Sequence, residues 1–390
     1  MKKKIAVMSL CFTTLLYMVL TVAVADLLAA FPNTPADTVL LVLMLPNLTG
    51  IVGIIAIPFL ARRLSSKSLS LLGLVLLCAG GAMCLLFHHS LAVLLAAGCV
   101  MGLAYGIIST LYPMLVNAYF SGAERIEVMG VCAGMLQLGR LASSLIGGYL
   151  ARAHWYNVYW TFGFALIALV LVALLLPKDR EPEGSQADGG DAASLRKGSV
   201  WKLSFFAAAF ACLYFVISTD GSLYIEGHGL GASDLTGWLN SLSCGVAGVV
   251  AALYGRISRL SGRFTLAAAF GLIGVGYLFA GSFVGLFGAV IAFLAGALAT
   301  ALFTPWLMTA ISDAAGSHHA PTATAIVLTC VNVGYFVSPY VTEPLGLLFG
   351  GGSAAAFAAA GTASLAFCLV TMLLCKKRPL ACLELNVINK

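Results

Sequence analysis

The chain has 390 residues, of which 61% are apolar and only 9% are charged, and its mean hydropathy is +1.01. A soluble domain carries about 25% charged residues, so this composition excludes a soluble globular protein and indicates an integral membrane protein. The apolar runs are long and lack the alternation of strands, which favours helices over a barrel.

The apolar runs predict about twelve transmembrane helices, and the expected fold class is an all-α integral membrane protein. The length of each run is close to the roughly 20 residues that a helix needs to cross a bilayer. The predicted helices cover residues 5–31, 38–60, 68–87, 91–119, 127–150, 156–177, 202–226, 234–255, 264–283, 286–311, 321–348 and 354–375.

The net charge of +6 follows the membrane topology and does not indicate a nucleic-acid partner. If the N terminus is inside, every Lys and Arg except Arg140 and Arg152 falls on the cytoplasmic side. This asymmetry predicts an even number of spans, two cytoplasmic termini and a multi-pass protein of the inner (plasma) membrane.

One long polar segment separates two apolar blocks of similar length. Residues 178–200 hold nine charged side chains, out of the 21 Lys and Arg plus 15 Asp and Glu of the whole chain. Such a segment is typical of a flexible, hydrated linker. The predicted domains are a six-helix bundle over 1–177, a cytoplasmic linker over 178–200, a second six-helix bundle over 201–375 and a cytoplasmic tail over 376–390.

The first thirty residues imitate a secretory signal. Lysines at positions 2–4 precede an apolar run, and the sequence Val22-Ala23-Val24-Ala25 resembles a cleavage site. The run is about twice as long as a usual signal core, so we expect this helix to stay in the protein.

The chain matches itself at an offset of about 194 residues. Asp26 falls on Asp220, and Arg62 falls on Arg256. Near the end of each block, Gly139 matches Gly334 and Arg140 matches Tyr335 at an offset of 195. Charges are rare in this sequence, so their coincidence favours two parallel six-helix repeats, an arrangement known among transporters.

Over its whole length the chain resembles the major facilitator superfamily. The resemblance comes from the six-plus-six organisation and from two basic turns, Gly53-Ile-Ile-Ala-Ile-Pro-Phe-Leu-Ala-Arg62-Arg63-Leu-Ser-Ser-Lys67 and Gly255-Arg256-Ile-Ser-Arg259-Leu-Ser-Gly-Arg263. The superfamily signature is Gly-x-x-x-Asp-Arg-x-Gly-Arg-Arg. Arg63 and Lys67 match it, while Arg62 replaces the Asp and Ser65 replaces the Gly. The resemblance implies cytoplasmic gating by the basic residues of these turns, which are Arg62, Arg63, Lys67, Arg256, Arg259 and Arg263.

Two departures separate the chain from the drug–proton antiporters that it distantly resembles. Gly98 stands where those proteins usually have an Arg in helix four, and the run from Gly139 to Gly148 lacks their helix-five proline. The resemblance still implies a secondary active carrier that works by alternating access. Efflux of drug-like compounds is the commonest role in the family.

Ionisable groups in membrane helices cost about 3 kcal/mol or more, so each one is a functional candidate. Asp26 and Asp220 lie at matching places in helices one and seven, and both are candidate proton-coupling residues. The alternative for each is a helix-end acid wetted by periplasmic water. Glu343, near the outer end of helix eleven, is interpreted as wetted or structural. Asp234 is predicted to cap the start of helix eight.

Arg140 is the charge predicted to lie deepest in the membrane. It follows Glu127 by 13 residues, which corresponds to roughly 20 Å along a helix. One interpretation is a ligand for a substrate carboxylate or phosphate, because the guanidinium fork suits planar oxyanions. The other is a structural ion pair with Asp26 or Asp220, and the sequence favours neither.

Polar and aromatic side chains on several helices could line the same central cavity. For any one of them, an alternative role is to hold helices together. Together with Arg140, the predicted substrate-binding residues are Asn47, Tyr105, Gln137, Asn240, Trp306, Asn332 and Tyr335, and Tyr17 and Tyr112 are further candidates.

The sequence predicts neither an enzyme nor a metal or cofactor site. The 11 cysteines are scattered along apolar helices, and the pairs His88–His89 and His318–His319 fall in loops on opposite sides of the membrane. No nucleotide-binding loop occurs. The function that the resemblance implies is proton-coupled efflux of a small organic solute, and we expect the protein to act as a monomer in the lipid bilayer. The alternatives are uptake or exchange of an organic anion bound by Arg140 and, from another class, a membrane sensor or assembly factor that does not transport.

Overall fold

The computed structural model describes residues 2–61, 63–120, 122–177, 197–254, 257 and 262–377, and all of its regular elements are helical. The α-helices are α1 Lys2–Thr13, α2 Val24–Ala30, α3 Ala36–Leu60, α4 Ser66–Leu86, α5 Leu91–Tyr119, α6 Gly122–Ala151, α7 Gly163–Leu175, α8 Lys197–Thr219, α9 Gly221–Gly227, α10 Ser233–Ala252, α11 Thr265–Ser282, α12 Leu286–Leu347 and α13 Ser353–Lys377. Three 3₁₀ segments cover Leu16–Ala23, Trp155–Phe162 and Gly262–Phe264. The predicted all-α fold class is confirmed.

Within the described part of the chain, eleven helical spans are long and apolar enough to cross a membrane. These eleven spans correspond to eleven of the twelve predicted helices. The exception is α10, a helix of 20 residues that is not among the eleven spans. The first half of α10 is unusually polar for this chain, since it contains Ser233, Asp234, Thr236 and Asn240.

The predicted first helix is interrupted. The α1 helix ends at Thr13, and a 3₁₀ segment over Leu16–Ala23 precedes α2. The hydroxyls of Thr13 and Thr14 both donate to the carbonyl oxygen of Leu10, at 3.0 and 2.9 Å. Such bonds compete with the regular helical ladder and bend helices, which accounts for the change of helix type.

The predicted seventh helix is also interrupted, at the single residue Asp220. The α8 helix ends at Thr219 and α9 begins at Gly221. Asp and Gly are both poor helix formers, so this pair is a weak point in the helix. The interruptions therefore lie close to the two acids that the repeat aligns.

The predicted loop between residues 311 and 321 is absent, because α12 continues through it without a break. This stretch contains three alanines but also Asp, Ser, Gly and His residues, so helix propensity alone does not explain its helical structure. Two of the eleven membrane-sized spans, Leu286–Ile311 and Ala323–Leu347, belong to this one helix.

The chain divides into two compact units. The first unit contains residues 1–186 and 231–244, and the second contains 187–230 and 245–390. In the first unit α5 packs on α3 and α4, and α6 packs on α1; in the second, α8 packs on α12, and α11 packs on α13. The first half of α10 therefore belongs to the first unit, whereas the predicted domains divide the chain only at the linker.

Two glycines that the repeat aligns have the same role in the two units. A Cβ on Gly139 of α6 would clash with the backbone oxygen of Phe12 in α1. A Cβ on Gly334 of α12 would clash with the backbone oxygen of Ala208 in α8. Each glycine thus allows two helix backbones to approach closely, as small residues do at helix interfaces in membranes.

Candidate functional site

Three candidate residues of the first unit form one buried cluster. The Tyr17 hydroxyl donates to Asn47 Oδ1 at 3.0 Å, and the ring centroids of Tyr17 and Tyr105 are 4.8 Å apart. Asn47 is fully buried, and its Nδ2 donates to the carbonyl oxygen of Leu43 at 3.3 Å. In this structure Asn47 is satisfied by protein groups, which suits a role in holding helices together.

A second cluster lies where α6 meets α10 within the first unit. Arg140 is half-buried on α6, close enough to act electrostatically on the thiol of Cys244. The Ser241 hydroxyl donates to the carbonyl oxygen of Leu141 at 3.0 Å. Asn240, the neighbour of Ser241, is buried. Arg140 and Asn240 are therefore on adjacent helices at the same level.

Gln137 lies on the same helix, three residues before Arg140, and is also half-buried. Residues three apart lie on one face of a helix, so Gln137 and Arg140 form a continuous polar strip on α6. Such a strip can donate several hydrogen bonds to one ligand.

Asp26, which belongs to α2, lies near the start of α10, at the opposite end of this stretch from Ser241. It is half-buried in the first turn of α2, and the Ser233 side chain is within hydrogen-bonding reach of its carboxylate. Ser233 precedes Ser241 by eight residues, about 12 Å along a helix. Asp26 and Arg140 therefore lie at different levels along α10.

Asp234 does not cap α10 as predicted, because α10 already begins at Ser233. Its Oδ2 lies 3.5 Å from Nη1 of Arg152, the basic residue that the charge asymmetry leaves outside. Both side chains are partly exposed, so this ion pair joins the end of α6 to the start of α10 where water can reach it.

In the second unit, Asp220 is part-buried between α8 and α9. Its Oδ2 accepts a hydrogen bond of 2.7 Å from the hydroxyl of Thr219. Glu343 is near enough for its charge to act on Asp220, although the Glu343 side chain is exposed. The candidate proton-coupling residue of this unit thus has a hydroxyl beside it and a second acid close enough to act on it through its charge.

The other candidates of the second unit are spread along α12. Trp306 is 8% exposed and packs against Phe303, with ring centroids 5.9 Å apart. The ring of Tyr335 lies 5.2 Å from that of Phe215. Asn332 is 3% exposed; its Nδ2 donates to Leu328 O at 2.9 Å.

The Oδ1 atom of Asn332 has no hydrogen-bond partner among the described residues. A buried amide oxygen without a partner costs about 1–3 kcal/mol, so it favours a donor supplied in another state or by a ligand. This feature distinguishes Asn332 from Asn47, whose oxygen is paired.

Only part of the two basic turns is described. Lys67 Nζ donates to the carbonyl oxygen of Ala173 at 2.6 Å, and Arg63 is exposed. Arg62, Arg256 and Arg259 lie outside the described residues. Arg263 is in the short 3₁₀ segment Gly262–Phe264, and its side chain is not described. The gating role of all six residues stays a prediction.

Sequence reasoning missed the hydroxyl partners of the two acids. Thr219 directly precedes Asp220, so a search of neighbouring residues could have found it. Ser233 is far from Asp26 in the chain, and no local pattern indicates their contact. Among the described residues, no group of three or more His, Cys, Asp or Glu side chains could hold a metal ion.

Comparison with known proteins identifies the fold. A peptide transporter POT in complex with sulfate has a TM-score of 0.80 at 13% identity, covering 96% of this chain and 94% of that chain. A D-xylose-proton symporter has a TM-score of 0.74 at 15% identity, covering 94% of this chain and 96% of that chain. A POT family transporter solved in meso has a TM-score of 0.74 at 14% identity, covering 97% and 98%. At these identities the likeness shows the fold alone.

No curated protein matches the sequence significantly. The profile of the Major Facilitator Superfamily, however, matches residues 5–339, which is most of the chain. The match confirms the predicted family and the expectation of a secondary transporter in a membrane, not an enzyme. The chain belongs to the Major Facilitator Superfamily.

Proposed function

We propose that the protein is a proton-coupled exporter of a small organic solute, with Asp26 and Asp220 as the proton-coupling residues. The observation that carries this proposal is their shared setting. Both acids are partly buried, both lie close to an interruption of a membrane helix, and each has a hydroxyl group beside it.

A carboxylate in a membrane helix is costly when charged, so it tends to mark an ion or proton pathway. Interrupted helices are typical of the ion and substrate sites of secondary transporters. The hydroxyls of Ser233 and Thr219 can donate to the charged carboxylates. Loss or gain of a proton at Asp26 or Asp220 would therefore change the local hydrogen bonding and packing.

The rest of the proposal follows the charge pattern and the family. The two termini and the linker face the cytoplasm, and the protein acts as a monomer in the inner (plasma) membrane. The two six-helix repeats, 1–177 and 201–375, expose the site to each side in turn. Efflux is proposed from the sequence resemblance, although one solved structure of similar fold is a proton symporter.

The test is solute transport by the purified protein in liposomes with an imposed pH gradient. We would use ethidium as a lipophilic cation and follow its fluorescence. Asp26→Asn and Asp220→Asn should each lower gradient-driven transport at least about tenfold, equivalent to ~1.4 kcal/mol. Asp37→Asn removes an exposed acid from the first turn of α3 and is the matched control. A rate that ignores the pH gradient, with both variants active, contradicts the proposal.

A second candidate function is uptake or exchange of an organic anion bound by Arg140. It is favoured by the half-buried strip of Gln137 and Arg140, with Asn240 at the same level of α10. Guanidinium and amide groups suit a carboxylate or phosphate. One transporter of similar fold was solved with sulfate, which is said of that protein only.

Thermal stabilisation by ligands separates the two functions, because a ligand that binds only the native state raises its melting temperature. The panel contains small carboxylates and phosphates, lipophilic cations and neutral drugs. Stabilisation by anions that disappears in Arg140→Ala supports the anion carrier. Stabilisation by cations that weakens in Asp26→Asn or Asp220→Asn supports the exporter.

A further inference from the structure

Two turns of the second unit lie side by side at one end of its helices. The α11 and α13 helices pack together in opposite directions. A Cβ on Gly274 would lie 2.6 Å from the Cδ2 atom of Leu365. Further along α11, a Cβ on Gly281 would lie 2.7 Å from the Cβ atom of Ala358. The end of α11 therefore meets the start of α13, and the turn after α11 is a neighbour of the turn before α13.

These two turns, over residues 283–285 and 348–352, expose large apolar side chains. The chain has no Asp, Glu, Lys, Arg or His from residue 264 to residue 312 or from residue 344 to residue 375. An exposed apolar surface of this kind marks contact with an apolar partner. Six of the side chains, each between 48% and 79% exposed, form what we call the turn patch: Phe283, Val284, Leu286, Phe287, Leu348 and Phe349.

The turns of the first unit that the repeat aligns with these two are polar. The turn between α4 and α5 carries His88 and His89, and the turn after α6 carries Arg152 and His154. Such side chains suit contact with water. The apolar character is therefore a property of the second unit and not of the repeat.

The turn patch continues the exposed apolar face of α11. The ring centroid of Phe279 lies 4.9 Å from that of Phe283 and 5.9 Å from that of Phe287. About one helical turn before Phe279, Val275 is 64% exposed. Since α11 is long and apolar enough to cross a membrane, this face contacts lipid, and the patch extends the same surface past the end of the helix.

The α11 helix is too short to carry the following turn clear of the lipid. It has 18 residues, which corresponds to about 27 Å at 1.5 Å per residue. The hydrocarbon core of a bilayer is about 30 Å thick. Arg263, two residues before the helix, favours the water on one side of the membrane. The other end of α11 therefore stays within the hydrocarbon.

The backbone of the turn after α11 is paired by protein groups. Gly285 N donates to the hydroxyl oxygen of Tyr224 at 3.2 Å, and this hydroxyl donates to the carbonyl oxygen of Ala280 at 2.9 Å. Phe283 N donates to the carbonyl oxygen of Phe279 at 2.8 Å. Tyr224 is buried, so this turn is supported from inside the protein and does not need water.

The turn before α13 pairs its own backbone. Gly351 N donates to the carbonyl oxygen of Gly346 at 3.1 Å, and Gly350 N donates to that of Leu347 at 3.3 Å, which is the bond pattern of a Schellman motif. Gly350 has a φ of +100°, a left-handed conformation that favours glycine. Such a helix end needs no polar side chain. It suits lipid, which offers no hydrogen bonds to backbone groups.

We propose that the turn patch is inserted into the bilayer and that its partner is the acyl chains of one leaflet. The second unit is anchored in lipid at this end through these two turns, whereas the aligned turns of the first unit meet water. This inference goes beyond the proposed function, because it concerns neither the proton nor the solute.

The test locates each turn by spin labelling. A nitroxide is attached in detergent to Val284→Cys or Leu348→Cys, one position in each turn of the patch, and the protein is reconstituted into phosphatidylcholine liposomes. Ser90→Cys is the matched control, because Ser90 is exposed in the turn that carries His88 and His89. The parent protein, treated in the same way, corrects for the native cysteines, and size-exclusion chromatography checks that each variant is folded.

Power saturation then measures access of two relaxing agents to the nitroxide. Molecular oxygen concentrates in lipid, whereas a water-soluble nickel chelate is excluded from it. The ratio of oxygen access to nickel access should be at least about tenfold higher at Val284→Cys and Leu348→Cys than at Ser90→Cys, because burial of a polar solute in hydrocarbon is costly.

Two results would overturn the proposal. Nickel access at either patch position equal to that at Ser90→Cys would place that turn in water. Low access of both agents would show that protein covers the patch, and a return of oxygen access on dilution with lipid would identify that protein as a second copy of the chain. Neither reading depends on transport, so the outcome is separate from that of the proposed function.

Discussion

Asp26 and Asp220 occupy matching positions in the two repeats, but their surroundings differ. The hydroxyl beside Asp220 belongs to Thr219, its neighbour in the chain, so this contact needs no packing against a distant helix. The hydroxyl beside Asp26 belongs to Ser233, on a helix whose second half lies in the other unit. The repeat therefore preserves the acid but not its partner. The hydroxyl partner of Asp220 is therefore local, whereas that of Asp26 comes from a helix far along the chain.

The two units agree more closely in their helix packing. Gly139 and Gly334 both allow a backbone contact with the first helix of their own unit. This likeness predicts that the two glycines respond alike to substitution. The following predictions test the likeness first and then the differences.

The largest effect is expected from Gly139→Ala and Gly334→Ala. A methyl group at either position would clash with a backbone oxygen, and the helices would have to separate. We expect each variant to lose about 1–3 kcal/mol of stability, the usual cost of overpacking, and to melt at a lower temperature in detergent. Thermal unfolding followed by circular dichroism measures the change.

Gly130→Ala is the matched control on α6, because nothing lies within 4 Å of a Cβ at Gly130. It should be neutral or stabilising, since Ala is favoured over Gly in a helix by about 1 kcal/mol. A large loss at Gly139 with none at Gly334 would show that the two units are packed differently.

A smaller effect is expected from removing one buried tyrosine hydroxyl in each unit. Tyr17 donates to the side chain of Asn47, whereas Tyr277 donates to the carbonyl oxygen of Tyr214 at 3.0 Å. Tyr17→Phe takes a partner from a buried amide and should cost about 1 kcal/mol. Tyr277→Phe should cost about half as much, because a helical carbonyl can still accept from the backbone.

Melting temperatures of both variants measure this difference, with Tyr149→Phe as control for an exposed tyrosine. Equal losses in Tyr17→Phe and Tyr277→Phe would contradict the special role of Asn47 in the first unit.

Reversal of one charge of the Arg152–Asp234 ion pair should have a modest effect on stability. Arg152→Asp places two acids side by side where an ion pair now stands. Since both side chains are partly exposed, we expect a loss of about 0.5 kcal/mol or less. The double variant Arg152→Asp with Asp234→Arg should recover the stability. Melting temperatures in detergent measure both changes, and a double variant that stays as unstable as the single one would contradict a stabilising ion pair.

The smallest effect is expected from Lys4→Ala. Lys4 Nζ lies 2.9 Å from Glu127 Oε1, at the opposite end of α6 from Arg152, and Glu127 is well exposed. Water and salt screen such a pair, so its loss should leave the melting temperature unchanged. A clear drop would show that this surface pair stabilises the contact between α1 and α6.

Much of the fold follows from composition and spacing. Membrane helices must satisfy their backbone hydrogen bonds internally, so long apolar runs leave little choice of structure. The acids Asp26 and Asp220 could also be recognised as candidates from the sequence, because charged residues are rare in membrane helices. By contrast, the interruptions near them depend on side-chain hydrogen bonds of Thr13 and Thr14 and on the Asp220–Gly221 pair, which apolar periodicity does not reveal.

The sequence by itself determined the all-α membrane fold, the family and the aligned positions of Asp26 with Asp220 and of Gly139 with Gly334. Hydropathy, charge asymmetry and repetition along the chain are local properties, so they can be read without a structure. Only the tertiary structure decided that Ser233 faces Asp26, that Tyr17 pairs with Asn47 and that the first half of α10 packs on α6. These contacts join residues far apart in the chain, and they depend on how each helix is rotated about its axis. Apolar residues surround these helices on all sides, so the sequence pattern does not fix that rotation.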